Sequence, residues 1–254
     1  MTYSSDASKK QFWVVIPAAG AGRRMQADRP KQYLPLFEKT VIEHTLDRLL
    51  SPETVTGAVL SISEGDAYWK GLGYPSEKPL LIAQGGKERC DSVLNALILL
   101  QQEVNNTESV WVLVHDAARP CVRVDDIVQL INRASLSDDG GLLALPVRDT
   151  MKRASKSSGK ASEKQQVQQT VDRTALWHAL TPQLFRLDLL LAALYQAAEN
   201  NQTVTDDASA MELAGYHPQL IEAHEDNIKI TRAFDLQLAE LFLLNQLNSE
   251  NPQS

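Results

Sequence analysis

Short runs of branched apolar residues alternate along this chain with stretches whose apolar positions recur every three or four residues. Phe12-Trp-Val-Val-Ile16, closed by Pro17, has the continuous apolar character of a buried parallel strand. A glycine-containing turn follows directly. Thr40-Val-Ile-Glu43 then has capping-box spacing, and Ile42, Leu46, Leu49 and Leu50 make one apolar face of a helix. The same reading gives strands at 55–62, 80–83, 110–114, 142–147 and 228–231. Helices are predicted at 92–100, with Val93, Leu94, Leu97 and Leu100 inward, and at 125–134, 182–199 and 234–247. A further helix at 206–214 is stopped by Gly215. Strand and helix in alternation predict an α/β fold, a mainly parallel sheet covered by helices on both faces.

Residues 153–166 break that rhythm, because they contain no large apolar side chain and cannot enter a core. Extended-looking stretches flank them at 146–152 and 167–177, which predicts a long hairpin arm with a flexible tip. Apart from the arm at about 146–177, residues 11–247 read as one domain, with 1–10 and 248–254 as loose tails. The 254 residues suit one large domain, and 43% hydrophobic against 22% charged residues gives enough apolar surface for a core.

Charge narrows the chemistry. With 25 Lys+Arg against 32 Asp+Glu, net −7, the chain does not read as a nucleic-acid coat or a binder of anionic membranes. No apolar stretch approaches the ~20 residues of a spanning helix. Cys90 and Cys121 cannot form a disulfide framework, and the amino terminus lacks the order of a secretory signal, so a cytoplasmic setting is expected.

Phosphate handling must therefore come from a local cluster of cations. Pro17-Ala-Ala-Gly-Ala-Gly-Arg-Arg-Met25 follows the first strand, where the carboxyl end of a parallel sheet forms the usual ligand crevice. Its small residues let backbone amides approach a phosphate. Met25 stands where the third glycine of a dinucleotide fingerprint would fall, and no P-loop is present. Arg23, Arg24 and Lys31 lie within nine residues, a local excess that suits a polyphosphate. A second strand, 112–114, delivers His115, Asp116 and Arg119 to the same rim. There Asp116 is placed to hold Mg²⁺, which takes one or two carboxylates and leaves the rest to water and substrate; a turn or cap is its structural alternative. His44, His178, His217 and His224 show no ligand spacing, and no nucleophile elbow appears.

Eight blocks in order now make the chain recognisable: Pro17–Met25 with Pro30-Lys-Gln-Tyr33, Gly85-Gly-Lys-Glu-Arg89 with Asp91-Ser-Val93, His115-Asp-Ala-Ala-Arg-Pro120, Asp149-Thr-Met-Lys152, Val171-Asp-Arg173, Leu176-Trp-His-Ala-Leu-Thr-Pro-Gln183, Thr205-Asp-Asp-Ala-Ser209 and Asp226-Asn-Ile-Lys-Ile-Thr231. From about residue 14 to residue 243 the sequence resembles the 2-C-methyl-D-erythritol 4-phosphate cytidylyltransferases of the non-mevalonate isoprenoid pathway. The resemblance implies a Rossmann-like nucleotidyltransferase fold and a homodimer joined through the hairpin arm. It also implies attack by the phosphate of 2-C-methyl-D-erythritol 4-phosphate on the α-phosphate of CTP, with Mg²⁺ present.

Carried over residue by residue, the nucleotide contacts fall on Pro17, Ala18, Ala19, Gly20, Gly22, Arg24, Lys31, the 86–92 segment with Gly86, Lys87 and Ser92, Asp116 and Ala117. The leaving-group stabilisers fall on Arg24 and Lys31. The sugar-phosphate side falls on Asp116, Arg119, Thr150, Arg173, Thr181, Thr205 and Lys229, with Arg173 and Lys229 counted as catalytic and some contacts crossing from the partner subunit. Lys87 departs from the family, which more often has an acidic or small polar residue there, and the arm tip is longer than usual. Arg173 beside Asp172 has an intra-arm ion pair as its alternative, Lys229 a strand edge, and Asp206 and Asp207 read as helix caps. Cytidylyl transfer to another sugar-alcohol phosphate such as ribitol 5-phosphate, or a silent nucleotide-binding protein, are the alternatives in function.

Overall fold

A computed structural model describes residues 9–20, 28–155 and 165–250. Strands β1 (Gln11–Pro17), β2 (Pro35–Leu36), β3 (Lys39–Thr40), β4 (Val55–Ile62), β5 (Leu80–Gln84) and β6 (Val110–Val114) are followed by β7 (Gly141–Pro146), β8 (Met151–Ala154), β9 (Val167–Val171), β10 (Trp177–Arg186) and β11 (Gln219–Glu222). The helices are α1 (Val41–Leu50), α2 (Ala67–Leu72), α3 (Arg89–Glu103), α4 (Val124–Ala134), α5 (Leu187–Glu199), α6 (Asp207–Leu213) and α7 (Ala233–Glu250).

Among the described residues, seven strands form one sheet in the order β11-β7-β10-β6-β1-β4-β5. All neighbours are parallel except β10, which runs antiparallel to both β6 and β7. Because side chains alternate across a strand, β1 feeds two cores. Val14 and Ile16 pack on one face with Ile42 and Leu46 of α1 and Ile127 and Leu130 of α4. Trp13 and Val15 pack on the other with Leu97 of α3, Leu190 of α5 and Met211 of α6. Each such fully buried leucine or isoleucine contributes about 1.5–3 kcal/mol relative to exposure, so the central strands are the most firmly held part of the molecule.

Three expectations are corrected. The run 182–199 is not one helix: Gln183, Leu184 and Phe185 pair with Val114, Leu113 and Val112 as the end of β10, and α5 starts at Leu187. The apolar side chains there satisfy strand burial as well as helical burial, and the available edge of β6 decides. Residues 228–231 make no ladder; Ile230 is fully buried in a separate cluster under α7, and its N–H donates to the Ala118 carbonyl. At the ends, α7 continues to Glu250, beyond the expected 247, and Lys10 is held rather than loose, its Nζ meeting the Ser135 carbonyl.

The arm takes the form of an antiparallel ribbon, with Met151 opposite Val171 and Lys152 opposite Thr170. Val147 N–H donates to the Leu176 carbonyl, which joins the ribbon to the ends of β7 and β10. Every side chain of β8 and four of five in β9 are exposed. Residues 156–164 of the tip lie outside the described residues.

Candidate active site

The carboxyl ends of β1, β5 and β6 open onto a cavity of about 290 Å³. Local sequence dictates its floor. A Cβ at Gly85 would lie 2.2 Å from Ala19 Cβ, and one at Gly86 would lie 2.2 Å from Asp91 Cβ. Only glycine lets the β5–α3 turn close against the β1 turn at this distance. Gly86 N–H then donates to Ser92 Oγ at 3.0 Å, and Ser92 is itself tied to β4 because Ser61 Oγ donates to its carbonyl at 2.6 Å. On the β1 side the buried amide of Gln32 donates to the carbonyls of Ala18 and Gly20, holding the glycine turn from below.

Pro17, Ala18, Ala19, Gly20, Lys31, Gly86, Lys87, Ser92, Asp116, Ala117 and Lys229 all line this cavity. Gly22, Arg23 and Arg24 lie outside the described residues. Arg119 and Thr181 are buried and do not line it; they hold Asp116 instead, Arg119 Nε at 3.3 Å from Oδ2 and Thr181 Oγ1 accepting from Asp116 N–H at 3.1 Å. Thr205 is exposed and lines a neighbouring cavity. Thr150 and Arg173 are exposed on the ribbon and line neither cavity.

Asp116 is the electrostatic centre. Its Oδ1 accepts from Arg89 Nε at 3.2 Å, and its Oδ2 faces Arg119 Nε and, at 2.8 Å, Lys229 Nζ. Burial alone would raise the carboxyl's pKa, but Arg89, Lys229 and Arg119 outweigh it and hold the group ionised well below the usual carboxylate range. The alternative of a backbone cap is thereby displaced, since both carboxylate oxygens face cations. Lys229 does not cover a strand edge; it reaches in from the irregular 226–231 segment, which is pinned where Arg119 Nη1 donates to the Asn227 carbonyl at 2.8 Å. Lys31 starts a single 3₁₀ turn, Lys31–Tyr33, and its Nζ donates to the Ile230 carbonyl at 2.9 Å, so two lysines flank one wall.

Other expectations change. His115 does not reach the rim: it is fully buried, its Nε2 bonds the Arg119 carbonyl at 3.1 Å, and burial lowers its pKa to about 4. Asp172 accepts from Thr174 N–H, and the structure gives it no ion pair with Arg173. Asp206 and Asp207 divide their labour: Asp206 caps α6 by accepting from Ser209 N–H, while Asp207 points inward to Arg89 Nη2 at 2.9 Å. Consecutive helical positions are about 100° apart, so a pair of acids cannot cap together. Arg89 lies in the 86–92 segment that the resemblance assigns to the nucleotide, but its bridge between Asp116 and Asp207 was not foreseen; its place at the start of α3, one residue past the cap Glu88, is the signal for it. His224 gains neighbours that spacing did not reveal, for Asp126 accepts from both its N–H and its Nδ1. Asp125 completes a cluster with them, but both Asp126 oxygens already serve to fix the end of β11.

A family model described as 2-C-methyl-D-erythritol 4-phosphate cytidylyltransferase matches residues 12–245. A protein of that name from Vibrio vulnificus (strain YJ016) is 50% identical over 229 residues, covering 90% of this chain and 93% of the relative. One from Escherichia fergusonii is 47% identical, covering 93% and 95%. Among solved structures, a 4-diphosphocytidyl-2C-methyl-D-erythritol synthase superposes with a TM-score of 0.77 at 34% identity, covering 92% of this chain and 99% of the other. The Francisella tularensis 2-C-methyl-D-erythritol 4-phosphate cytidylyltransferase gives 0.76 at 34% identity, covering 92% and 100%. Sequence, fold and length agree, and the chain belongs to the family of 2-C-methyl-D-erythritol 4-phosphate cytidylyltransferases, which are nucleotidyltransferase enzymes.

Proposed function

We propose that this enzyme transfers a cytidylyl group from CTP to 2-C-methyl-D-erythritol 4-phosphate, giving 4-diphosphocytidyl-2-C-methyl-D-erythritol and pyrophosphate for isoprenoid precursor synthesis. The observation that carries the reading is the cavity itself, a small-residue turn facing Lys31, Lys229 and the Asp116 cluster, inside a chain of net −7. The nucleophile is an anionic phosphate oxygen, so no side chain need be activated, and catalysis reduces to positioning and charge. A bond forms from that oxygen to the α-phosphorus as the bond to the β-phosphate's bridging oxygen breaks. Arg24 and Lys31 stabilise the charge that builds on pyrophosphate, while Lys229 and Arg173 hold the incoming phosphate in line. Arg119, Thr150, Thr181 and Thr205 complete the sugar-phosphate side.

The donor set suits Mg²⁺. Asp116 is the carboxylate of the described cavity wall that could serve an ion, because Glu88 is engaged in capping α3. Three cations occupy three of about four lone-pair sites on it, leaving one for a hard ion whose remaining ligands would be phosphate and water. When bound, the ion would neutralise phosphate charge.

Thr150 and Arg173 sit on an exposed ribbon away from their own chain's cavity, which supports a homodimer whose arms each serve the neighbouring copy. Among the described residues no helix is long and apolar enough to cross a membrane. Both substrates are phosphate metabolites of the cell interior, and the reading places the enzyme in the cytoplasm. The test is pyrophosphate release with CTP and Mg²⁺, run in parallel with 2-C-methyl-D-erythritol 4-phosphate and ribitol 5-phosphate. Release with the first alone is expected; release with ribitol 5-phosphate alone, or with neither, would overturn the reading.

A further inference from the structure

Asp207 is a carboxylate with 1% exposure at the first position of α6. Burying a charge costs several kcal/mol unless it is paired, so its partner matters. The ion pair it makes is with Arg89 Nη2 at 2.9 Å, and the same guanidinium reaches Asp116 through Nε at 3.2 Å. One planar, five-donor group is thus fixed between two carboxylates, one in the nucleotide cavity wall and one at the root of a different element.

What hangs from α6 gives this bridge its meaning. Gln183 of β10 donates to Asp206 Oδ2 and accepts from Ala208 N–H, both at 2.8 Å. Ser209 Oγ accepts from the N–H groups of Thr205 and Asp206. The start of α6 is therefore a locked unit, and Thr205 rides on it at the edge of a cavity that shares Glu88 and Arg89 with the nucleotide cavity. β10 also reaches both ends, since Gln183 holds α6 and Thr181 Oγ1 accepts from Asp116 N–H; Arg89 is the side chain that joins Asp207 to Asp116 directly.

We infer that Arg89 and Asp207 are a positioning pair: through them the 205–209 segment is held in register with Asp116, so that the sugar phosphate is placed against the nucleotide. The inference rests on the reading of Thr205 given above and deepens it. Arg89 acts through its two carboxylates rather than on the reacting atoms. Loss of the pair leaves the CTP cavity in place and loosens the sugar-phosphate side.

Asp207→Asn keeps the shape and removes the charge. Steady-state assays on the full-length enzyme are expected to show the KM for 2-C-methyl-D-erythritol 4-phosphate raised about tenfold, within the range of coupling between residues in one network, and the KM for CTP changed by less than about twofold. Thr205→Val is expected to raise the same KM in the wild-type background and to add little on top of Asp207→Asn. Thermal unfolding of each variant monitors the fold. If Asp207→Asn fails to fold, Arg89→Lys, at a partly exposed position, is expected to reproduce the selective KM change more weakly. Equal changes in both KM values, or full additivity with Thr205→Val, would overturn the inference. An unchanged Asp207→Asn enzyme beside an impaired Thr205→Val enzyme would overturn it while leaving the functional reading intact; a silent Thr205→Val would remove Thr205 from that reading as well.

Discussion

One carboxylate organises three cations in this site, and the consequences can be followed residue by residue. Arg89, Arg119 and Lys229 all face Asp116, so the resting cavity carries a surplus of positive charge into which a triphosphate can settle. Lys31 Nζ donates to the Ile230 carbonyl, and the proposed mechanism assigns it to the leaving side. Lys31→Ala is expected to lower turnover roughly 10²–10³-fold, the usual scale for losing one preorganised charge stabiliser, with the fold intact by circular dichroism. A normal rate would remove Lys31 from the mechanism. His115 offers a test of a different kind. Its folded pKa is about 4 against an ordinary 6.5, because burial disfavours the imidazolium. Between those values the unfolded chain binds a proton that the folded chain refuses, so stability is full above about pH 6.5 and falls as the pH drops towards 4, by at most about 3 kcal/mol. Urea unfolding of wild type and His115→Gln at pH 7, 5.5 and 4.5 should show the wild type losing stability relative to the variant across this window. Parallel profiles would mean that the ring is not kept neutral.

At the scale of elements, the strands whose burial is continuous were legible from periodicity alone: 12–16, 55–62 and 110–114 are apolar enough that no other placement buries them, and each lies within ordered β-structure. The helix at 41–50 was legible because its cap and its apolar face agree, and Glu43 does bond Thr40. The segment at 182–199 misled because its apolar residues satisfy both periods; the outcome was set by an edge of β6 that local sequence cannot see. The strand β11 escaped notice because Gln219-Leu-Ile-Glu222 holds one buried residue, Ile221. The site divides in the same way. The turns after β1 and β6 were legible as a crevice, since a strand followed by small or charged residues announces one, whereas the turn after β5 came only with the family resemblance; all three line one cavity. The pairing of Arg89 with Asp207 was not legible, because Asp207 beside Asp206 read as a second helix cap, Arg89 stood beside the cap Glu88, and the two lie 118 positions apart in the chain.

For the whole molecule, the ribbon poses the remaining question. Its strands bury almost nothing within their own chain, and Val167 is 64% exposed on it. Two residues assigned to the sugar phosphate, Thr150 and Arg173, stand on it or at its base, apart from the cavity of the chain that carries them. If each active site takes its cavity from one subunit and its Arg173 from the other, defects in the two must complement. A Lys31→Ala chain and an Arg173→Ala chain, each nearly inactive alone, would in a mixed dimer place both substitutions in one site and leave the second site wholly native. Random reassortment of equal amounts makes half the dimers mixed, so about a quarter of the sites, and about a quarter of wild-type turnover, should return. Turnover is to be followed by pyrophosphate release after the two are co-refolded, with separately refolded samples combined without exchange as the control. Activity that stays at the sum of the separate variants would place Arg173 in the same site as its own Lys31, and the ribbon would then have to fold back over its own chain when substrate binds.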